Sequence, residues 1–565
     1  MVIMSLMILI IAIALTPSTS SINTNSSTLT SVQGDGLSPI LITRLASIVF
    51  LFSGALAYNA LYIQSIGSGL SLYSGLFQVS VLSQSFDFFI FILAALILIP
   101  WPNKRIGFNS YVLSGPLVKE YSLILLFSAL GSSLLLSSGN LLSMYLAIEL
   151  QSFGVYILAT IYRNSESATN AGLKYFLLGG LSSCLILLGC VLIYSYTGLI
   201  YFEDIYSITA ASNFAVSNSS SLSLITGDIN TIIQLGLVFI FVGFLFKVAG
   251  APFHNWAPDV YNDVPTMVTT WLTIMPKIAI LIVAFELIST SPIAGSLNSL
   301  IGSLGSIEAL GQSKGVFLIT NLLLISSFLS LIIGTIAGLA QVKIKRLLAY
   351  STISHIGFLL LALSINTEDS LESFIFYLIQ YSVTNLNTFF ILLAFGYIIN
   401  QGLRSNKKDI SLISELKGQF ATNPLLSLSL ALCLFSMAGI PPLMGFFAKA
   451  QVLYSSIQNG YYFISIIAIL VSVVSAYYYL QIIRVMHFDS ADSNDTSIIT
   501  NPSLSTSVES DKGESLTLEN SPVSVLNNTH TYLISVLTLS LTLFMLKPSI
   551  LLNSIHLMAL NIFYT

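Results

Sequence analysis

The sequence predicts an all-α polytopic membrane protein with about fourteen transmembrane helices. Three observations support this prediction: the composition, the long apolar runs and the placement of the basic residues. Hydrophobic residues make up 55% of the 565-residue chain and charged residues only 8%, whereas about 25% of the residues in soluble domains are charged. The mean hydropathy is +0.87, and apolar runs extend from one end of the chain to the other.

Each apolar run except the first, which is short, is long enough to cross a bilayer as a helix, which takes about 20 residues. Helices are expected because lipid offers backbone groups no partner, and the sequence lacks the ~10-residue alternation of a membrane β-barrel. The spans lie at roughly 1–16, 38–64, 81–101, 116–137, 139–162, 169–198, 230–257, 263–289, 316–340, 346–366, 371–400, 424–456, 459–487 and 531–553.

The basic residues support this count. Connections after odd-numbered spans hold fourteen of the 20 lysines and arginines, whereas even-numbered connections and the C-terminal tail hold only Lys314 and Lys547. Loops rich in Lys and Arg stay on the cytoplasmic or matrix side of a membrane. A miscounted span would mix the two sides, so this separation supports fourteen spans. Because the basic loops follow odd-numbered spans, both termini are expected on the opposite side of the membrane.

Targeting and redox motifs are missing from the sequence. Residues 1–16 resemble the apolar part of a signal peptide, but they lack a basic segment before it and a cleavage site after it, so a retained helix is expected. The three cysteines, Cys184, Cys190 and Cys433, lie within spans, and no CxxC, CxxCH, GxGxxG or P-loop pattern occurs. We therefore expect this chain to hold no cofactor or metal.

The four remaining basic residues are lysines within apolar spans: Lys174, Lys247, Lys277 and Lys449. A charge at the bilayer centre costs at least ~2.5–3.5 kcal/mol, so such groups usually line an ion or proton path. Glu149 lies near the centre of span 5, and a Glu–Lys pair keeps both groups charged until it is separated. The alternatives are a static ion pair and, for lysines near span ends, a side chain that reaches to the interface.

Two histidines are candidates for proton relays near neutral pH. His254 follows a break in span 7, and His355 lies within span 10. The other three, His487, His530 and His556, lie beside the long polar loop or in the C-terminal tail, so we expect them to have no role in transport.

Spans 7 and 12 carry the same interruption. The first reads Lys247-Val-Ala-Gly-Ala-Pro-Phe-His254, and the second contains Ala438-Gly-Ile-Pro-Pro followed by Lys449. Proline removes a helical hydrogen bond and glycine lets the chain bend, so both spans are predicted to be broken helices. Gly and Pro are common in membrane helices, but paired interruptions in corresponding halves are typical of a transporter binding site.

A second match extends the pattern to an internal repeat. Residues Leu146–Ser152 in span 5 resemble Leu348–Ser354 in span 10, so spans 4–8 and 9–13 are predicted to be two five-helix repeats. An offset of five spans inverts one repeat relative to the other. The predicted segments are a three-helix N-terminal part with a polar loop, two half-channels, a polar loop expected to be disordered and a C-terminal helix, at 1–115, 116–290, 315–487, 488–530 and 531–565.

Four stretches resemble the antiporter-like subunits of respiratory complex I: Met144–Ser152, Lys247–Tyr261, Lys345–Gly357 and Ala438–Lys449. The string Phe-His-Asn-Trp-Ala-Pro-Asp-Val-Tyr makes the resemblance specific. The resemblance as a whole covers residues 116–487. It implies a proton-translocating subunit of the mitochondrial inner membrane. The implied partners are other membrane-arm subunits and lipids, not nucleic acid, with FMN, iron–sulfur clusters and ubiquinone in partner subunits.

The resemblance also implies residue roles. Glu149 and Lys247 match the charge pair of the family, Lys174 and Lys277 match its mid-membrane lysines, and Lys449 matches the terminal lysine of the second half-channel. Two other functions remain open at this point. One is a subunit of a multisubunit cation/proton antiporter, and the other is a passive membrane scaffold, which would keep transport intact after all four lysines were neutralised.

Overall fold

The computed structural model describes residues 1–15, 39–63, 69–100, 120–162, 165–208, 223–289, 314–403, 409–489 and 526–564. In these ranges the chain is mainly helical, which confirms the predicted fold class. The polar stretch 17–37 and most of 488–529 lie outside the described residues.

In the part of the chain that the structure describes, seventeen α-helices of at least eight residues form the body of the protein, and each lies in or beside a predicted span. Within the described residues, nine helices are long and apolar enough to cross a membrane; the other predicted spans correspond to shorter or broken helices, so the count of fourteen is not confirmed. The helices are α1 Val2–Leu15, α2 Pro39–Ala60, α3 Val81–Ile97, α4 Tyr121–Leu136, α5 Leu141–Thr160, α6 Glu166–Thr197, α7 Ser223–Val248, α8 Trp256–Asp263, α9 Thr266–Ser289, α10 Lys314–Leu339, α11 Ile344–Ile365, α12 Glu368–Leu403, α13 Pro424–Ala438, α14 Met444–Gln458, α15 Tyr462–His487, α16 Asn528–Leu543 and α17 Ser549–Tyr564.

Two parts of the chain differ from the prediction. A short antiparallel hairpin, β1 Leu70–Leu72 and β2 Phe77–Val79, lies between α2 and α3. The predicted single C-terminal helix is divided in two, because α16 ends at Leu543 and α17 begins directly after Pro548. Proline cannot continue a helix from its N-terminal side, but it is well tolerated where a new helix starts.

Both predicted helix breaks occur in the structure. In the second break, Gly439 is left-handed with φ +88°, and its N–H donates to the carbonyls of Phe435 and Ser436 at the end of α13. In the first break the left-handed residue is Ala249 (φ +67°), and the N–H of Gly250 donates to Leu245 O. Glycine takes this conformation without strain, whereas alanine has a β carbon that disfavours it.

The helices of the two predicted repeats pack in the same pairs. Helices α4 and α5 pack together, as do α10 and α11; α6 packs against both parts of its broken helix, α7 and α8, as α12 does against α13 and α14. The last helix of each set, α9 or α15, returns to pack on the first. Because the sets are five spans apart, the second is inverted relative to the first.

Matched glycines define the register of the repeat. A β carbon on Gly131 would lie 2.6 Å from the backbone nitrogen of Gln151, and one on Gly334 would lie 2.7 Å from that of Ser354. These contacts bring α4 onto α5 and α10 onto α11 at close range. They align Gln151 with Ser354, one residue away from the alignment predicted from the sequence.

The close approach at Gly131 makes a prediction about stability. A Gly131→Ala variant must push apart two backbones, which we expect to cost about 1–3 kcal/mol. The matched control is Gly180→Ala on α6, where nothing lies within 4 Å of the added carbon, and where alanine favours the helix by about 0.5–1 kcal/mol. The measurement is the temperature at which the protein leaves its native assembly; equal midpoints for both variants would contradict the packing described.

Candidate functional site

The structure places Glu149 and Lys247 side by side, at the end of α7 just before the first break. Lys247 is 7% exposed, and its Nζ lies 3.9 Å from Glu149 Oε1. The ammonium donates a hydrogen bond of 3.3 Å to Ser183 Oγ on α6. Glu149 Oε1 has no hydrogen-bond partner among the described residues. The pair is therefore attracted by charge but is not joined by a direct hydrogen bond.

Lys449 is held by the second break. Its Nζ donates to the carbonyl of Ala438 at 2.9 Å, and it lies 5.6 Å from the ring centroid of Phe358. The last carbonyls of a helix have no partner within the helix and carry partial negative charge. The break therefore provides the ammonium with a neutral acceptor, and Phe358 on α11 provides an aromatic face.

Lys277 lies deep in α9, directly after Pro276, and only 1% of it is exposed. Its Nζ donates to Thr352 Oγ1 on α11 and to the Tyr381 hydroxyl on α12, both at 3.4 Å. It also lies 5.4 Å from the ring centroid of Tyr261. Within the described residues no carboxylate pairs with Lys277, so its charge is stabilised by hydroxyls and a ring.

His355 lies between Lys277 and Lys449. Its Nδ1 is 2.8 Å from the hydroxyl of Tyr377, and its Nε2 is 3.3 Å from that of Tyr479. The imidazole is buried. A histidine held by two hydroxyls can accept a proton on one nitrogen and release one from the other.

The contacts form a continuous line between the two lysines. The Tyr381 ring, whose hydroxyl accepts from Lys277, lies 6.0 Å from the His355 ring. The Phe358 ring, which faces Lys449, stacks on Tyr377 at 5.7 Å. In order, the line is Lys277, Tyr381, His355, Tyr377, Phe358 and Lys449.

The space between Lys247 and Lys277 is aromatic. Tyr175 stacks on Trp256 at 4.6 Å, and Trp256 meets the edge of Tyr261 at 5.8 Å. The Trp256 indole N–H donates to the carbonyl of Phe246, the residue before Lys247. No hydrogen bond joins the two lysines directly in the described part of the chain. A proton transfer between them would therefore require the Tyr261 hydroxyl or water.

Two predicted site residues, Lys174 and His254, belong neither to this line nor to the Glu149–Lys247 pair. Lys174 was expected to be buried, but its side chain is 57% exposed and pairs with Asp259 at 3.3 Å. Arg346 contacts the same carboxylate at 3.4 Å. Because Lys174 lies near the start of α6, its long side chain reaches the surface. His254 is buried in the first break, and its Nδ1 has no partner among the described residues.

Sequence reasoning missed the residues that hold the lysines and His355. They are neutral hydroxyls in apolar spans, and the chain has too many Ser, Thr and Tyr residues for the sequence to single them out: Ser183, Thr352, Tyr377, Tyr381 and Tyr479. It also missed Asp87, a buried carboxylate on α3, although this is the only acidic residue in the third apolar run. His530, expected to have no role, is buried and bonded to the carbonyl of Phe390 at 3.1 Å.

Comparisons with known proteins agree with this fold. The family described as NADH:quinone oxidoreductase/Mrp antiporter, transmembrane region, matches residues 138–317 and 315–475, which together are more than half of the chain. NADH-ubiquinone oxidoreductase chain 2 of Rhizopus oryzae is 51% identical over 537 residues, covering 93% of this chain and 96% of that protein.

Two solved structures share the fold. One is respiratory complex I from Thermus thermophilus, with a TM-score of 0.62, 24% identity and coverage of 96% of this chain and 98% of the matched chain. The other is the Mrp complex from Dietzia sp., with a TM-score of 0.68, 17% identity and 93% coverage of both chains. The chain belongs to the NADH:quinone oxidoreductase/Mrp antiporter family, as an antiporter-like membrane-arm subunit of the complex I type.

Proposed function

We propose that this chain translocates protons as a subunit of NADH:ubiquinone oxidoreductase in the mitochondrial inner membrane. The observation that carries the proposal is the unbroken line of polar and aromatic contacts from Lys277 through His355 to Lys449. Residues 116–290 form the first half-channel and 315–487 the second. Redox chemistry takes place in partner subunits, and other membrane-arm subunits and lipids surround the chain.

The Glu149–Lys247 pair is suited to act as the switch. Two unit charges about 4 Å apart interact by about 4 kcal/mol at an effective dielectric constant of about 20, and doubling the distance halves that energy. The loss of about 2 kcal/mol favours proton release from Lys247 by roughly 30-fold. A charge change in a neighbouring subunit that draws Glu149 away would therefore send a proton from Lys247 toward Lys277.

The groups beyond the switch can pass that proton onward. Lys277 and Lys449 are held by hydroxyls, a carbonyl and rings, so neither is locked in its charged form by a carboxylate. Tyr381, His355 and Tyr377 lie between them and can each donate and accept hydrogen bonds. Phe358 cannot carry a proton, so water has to bridge Tyr377 and Lys449. His254, beside the first break, is a further relay candidate on the side of Lys247.

The shared fold with the Mrp complex keeps a second function open, in which the chain serves a multisubunit cation/proton antiporter. Purification of the native assembly separates the two. Complex I membership requires FMN and iron–sulfur clusters in the purified complex, whereas an antiporter would copurify without them and would exchange a cation for protons in vesicles.

The lysines provide a direct test of transport. We expect Lys277→Met and Lys449→Met in the assembled complex, reconstituted in proteoliposomes, to lower the number of protons moved per NADH. Each removes an obligatory position in the line. The control is Lys547→Met, an exposed lysine between α16 and α17. An unchanged ratio in both buried-lysine variants would favour a passive scaffold and would overturn the proposal.

Lys174 makes a separate prediction. Because its pair with Asp259 is exposed, we expect Lys174→Met to cost at most about 1 kcal/mol of stability and to lower proton transport less than Lys277→Met does. The measurements are the thermal midpoint of the assembly and the protons moved per NADH. A loss equal to that of Lys277→Met would restore Lys174 to the mid-membrane line implied by the family resemblance.

A further inference from the structure

Three charged side chains meet at the protein surface on the side of the basic loops. Asp259, in the first turn of α8, lies 3.3 Å from Lys174 Nζ of α6 and 3.4 Å from the guanidinium of Arg346, near the start of α11. All three side chains are partly exposed, at 37%, 57% and 40%. Because α8 packs against both α6 and α11, this Asp259 cluster is held between three helices.

The Asp259 cluster carries a net positive charge. Two cations share one carboxylate, +2 against −1, so one positive charge is left over. Both contacts are longer than the about 2.7–2.9 Å of a strong charge-assisted hydrogen bond, and Arg346 Nε has no hydrogen-bond partner among the described residues. The ammonium and the guanidinium therefore keep donors available for a further acceptor.

An apolar cavity of about 590 Å³ lies between α7 and α10. Leu245 and Phe253 line it from the broken helix, and Leu322, Ile325 and Leu329 line it from α10. Ile325 is 60% exposed, so the cavity opens onto the outer surface of the protein. Its volume is typical of ligand sites, which have about 300–1,000 Å³, and an apolar lining excludes water. In a bilayer, this cavity is suited to an acyl chain.

The cavity and the Asp259 cluster lie along the same two paths of the chain. On one path, Phe253 of the first break precedes Asp259 by six residues; on the other, Leu329 of α10 precedes Arg346 at the start of α11. Both paths run from the cavity toward the basic loops. Six residues rise about 9 Å in a helix, which is less than the ~15 Å that half of the hydrocarbon core measures. One lipid can therefore reach both places.

The charge of the cluster favours an acidic phospholipid. A phosphate diester carries one negative charge, which balances the one left over, and its oxygens accept hydrogen bonds from both arginine and lysine. A zwitterionic headgroup brings its own cation and would leave the charge of the cluster unbalanced. Basic pockets between transmembrane helices on the matrix or cytoplasmic side are known to bind acidic headgroups.

We propose that the Asp259 cluster and the cavity together bind one acidic phospholipid. Its phosphate contacts Lys174 and Arg346, and one acyl chain fills the cavity between α7 and α10. Because α6 belongs to the first half-channel and α11 to the second, the phosphate ties the two together at the membrane surface. The site is separate from the line between Lys277 and Lys449 and does not depend on proton transport.

The test measures how far the lipid shields the amine of Lys174. The intact complex is placed in nanodiscs of phosphatidylcholine alone or with phosphatidylglycerol added, and a water-soluble amine reagent labels the lysines, which mass spectrometry quantifies. The variant is Arg346→Gln. Its matched control is Lys343→Gln, which removes one positive charge from an exposed residue at the same end of α11. Exposed Lys547, between α16 and α17, reports any general effect of an acidic membrane.

We expect phosphatidylglycerol to lower the labelling of Lys174 several-fold relative to that of Lys547. The effect should be lost in Arg346→Gln and kept in Lys343→Gln. An equal fall at Lys174 and Lys547, or unchanged shielding in Arg346→Gln, would mean general attraction to an acidic membrane and would overturn the proposal.

Two further outcomes would also contradict a lipid at this site. If inorganic phosphate added to phosphatidylcholine nanodiscs shields Lys174 equally well, the site binds free phosphate and needs no acyl chain. If Lys174 stays unlabelled in both membranes and in both variants, a partner subunit covers the cluster.

Discussion

The cost of placing an ammonium in hydrocarbon governs this structure. Lipid supplies no acceptor, so each buried lysine has to find one within the protein. Lys247 finds a carboxylate, Lys277 finds two hydroxyls and a ring, and Lys449 finds a helix-end carbonyl. The carbonyl that accepts from Lys449 is free only because α13 ends within the membrane region. The break at Gly439 and the lysine that follows it therefore depend on each other.

The difference between these partners separates two roles. A carboxylate partner favours the charged lysine strongly, and this attraction falls as the distance between the charges grows, which makes the Glu149–Lys247 contact at 3.9 Å sensitive to small movements. Hydroxyls and carbonyls stabilise a charged lysine less strongly, so Lys277 and Lys449 can exist in both protonation states at lower cost. The arrangement places one switch at the start of the line and two carriers after it.

The sequence predicted the parts of the site that depend on local rules. The Ala-Gly-x-Pro strings predicted both breaks, and charges within apolar runs pointed to Glu149 and Lys277. It failed where burial depends on the reach of a side chain: Lys174 is close enough to the start of its helix to reach the surface. It also could not find Tyr381, because this partner of Lys277 comes from a distant part of the chain and only packing brings the two together.

The account depends most directly on Glu149 and Lys247 acting as one unit. The measurement is the number of protons moved per NADH by the intact complex carrying Glu149→Gln, Lys247→Met or both substitutions. If the pair is one switch, either substitution removes its whole effect, and the double variant has the same ratio as each single variant. Losses that add in the double variant, or a wild-type ratio in all three, would contradict the account.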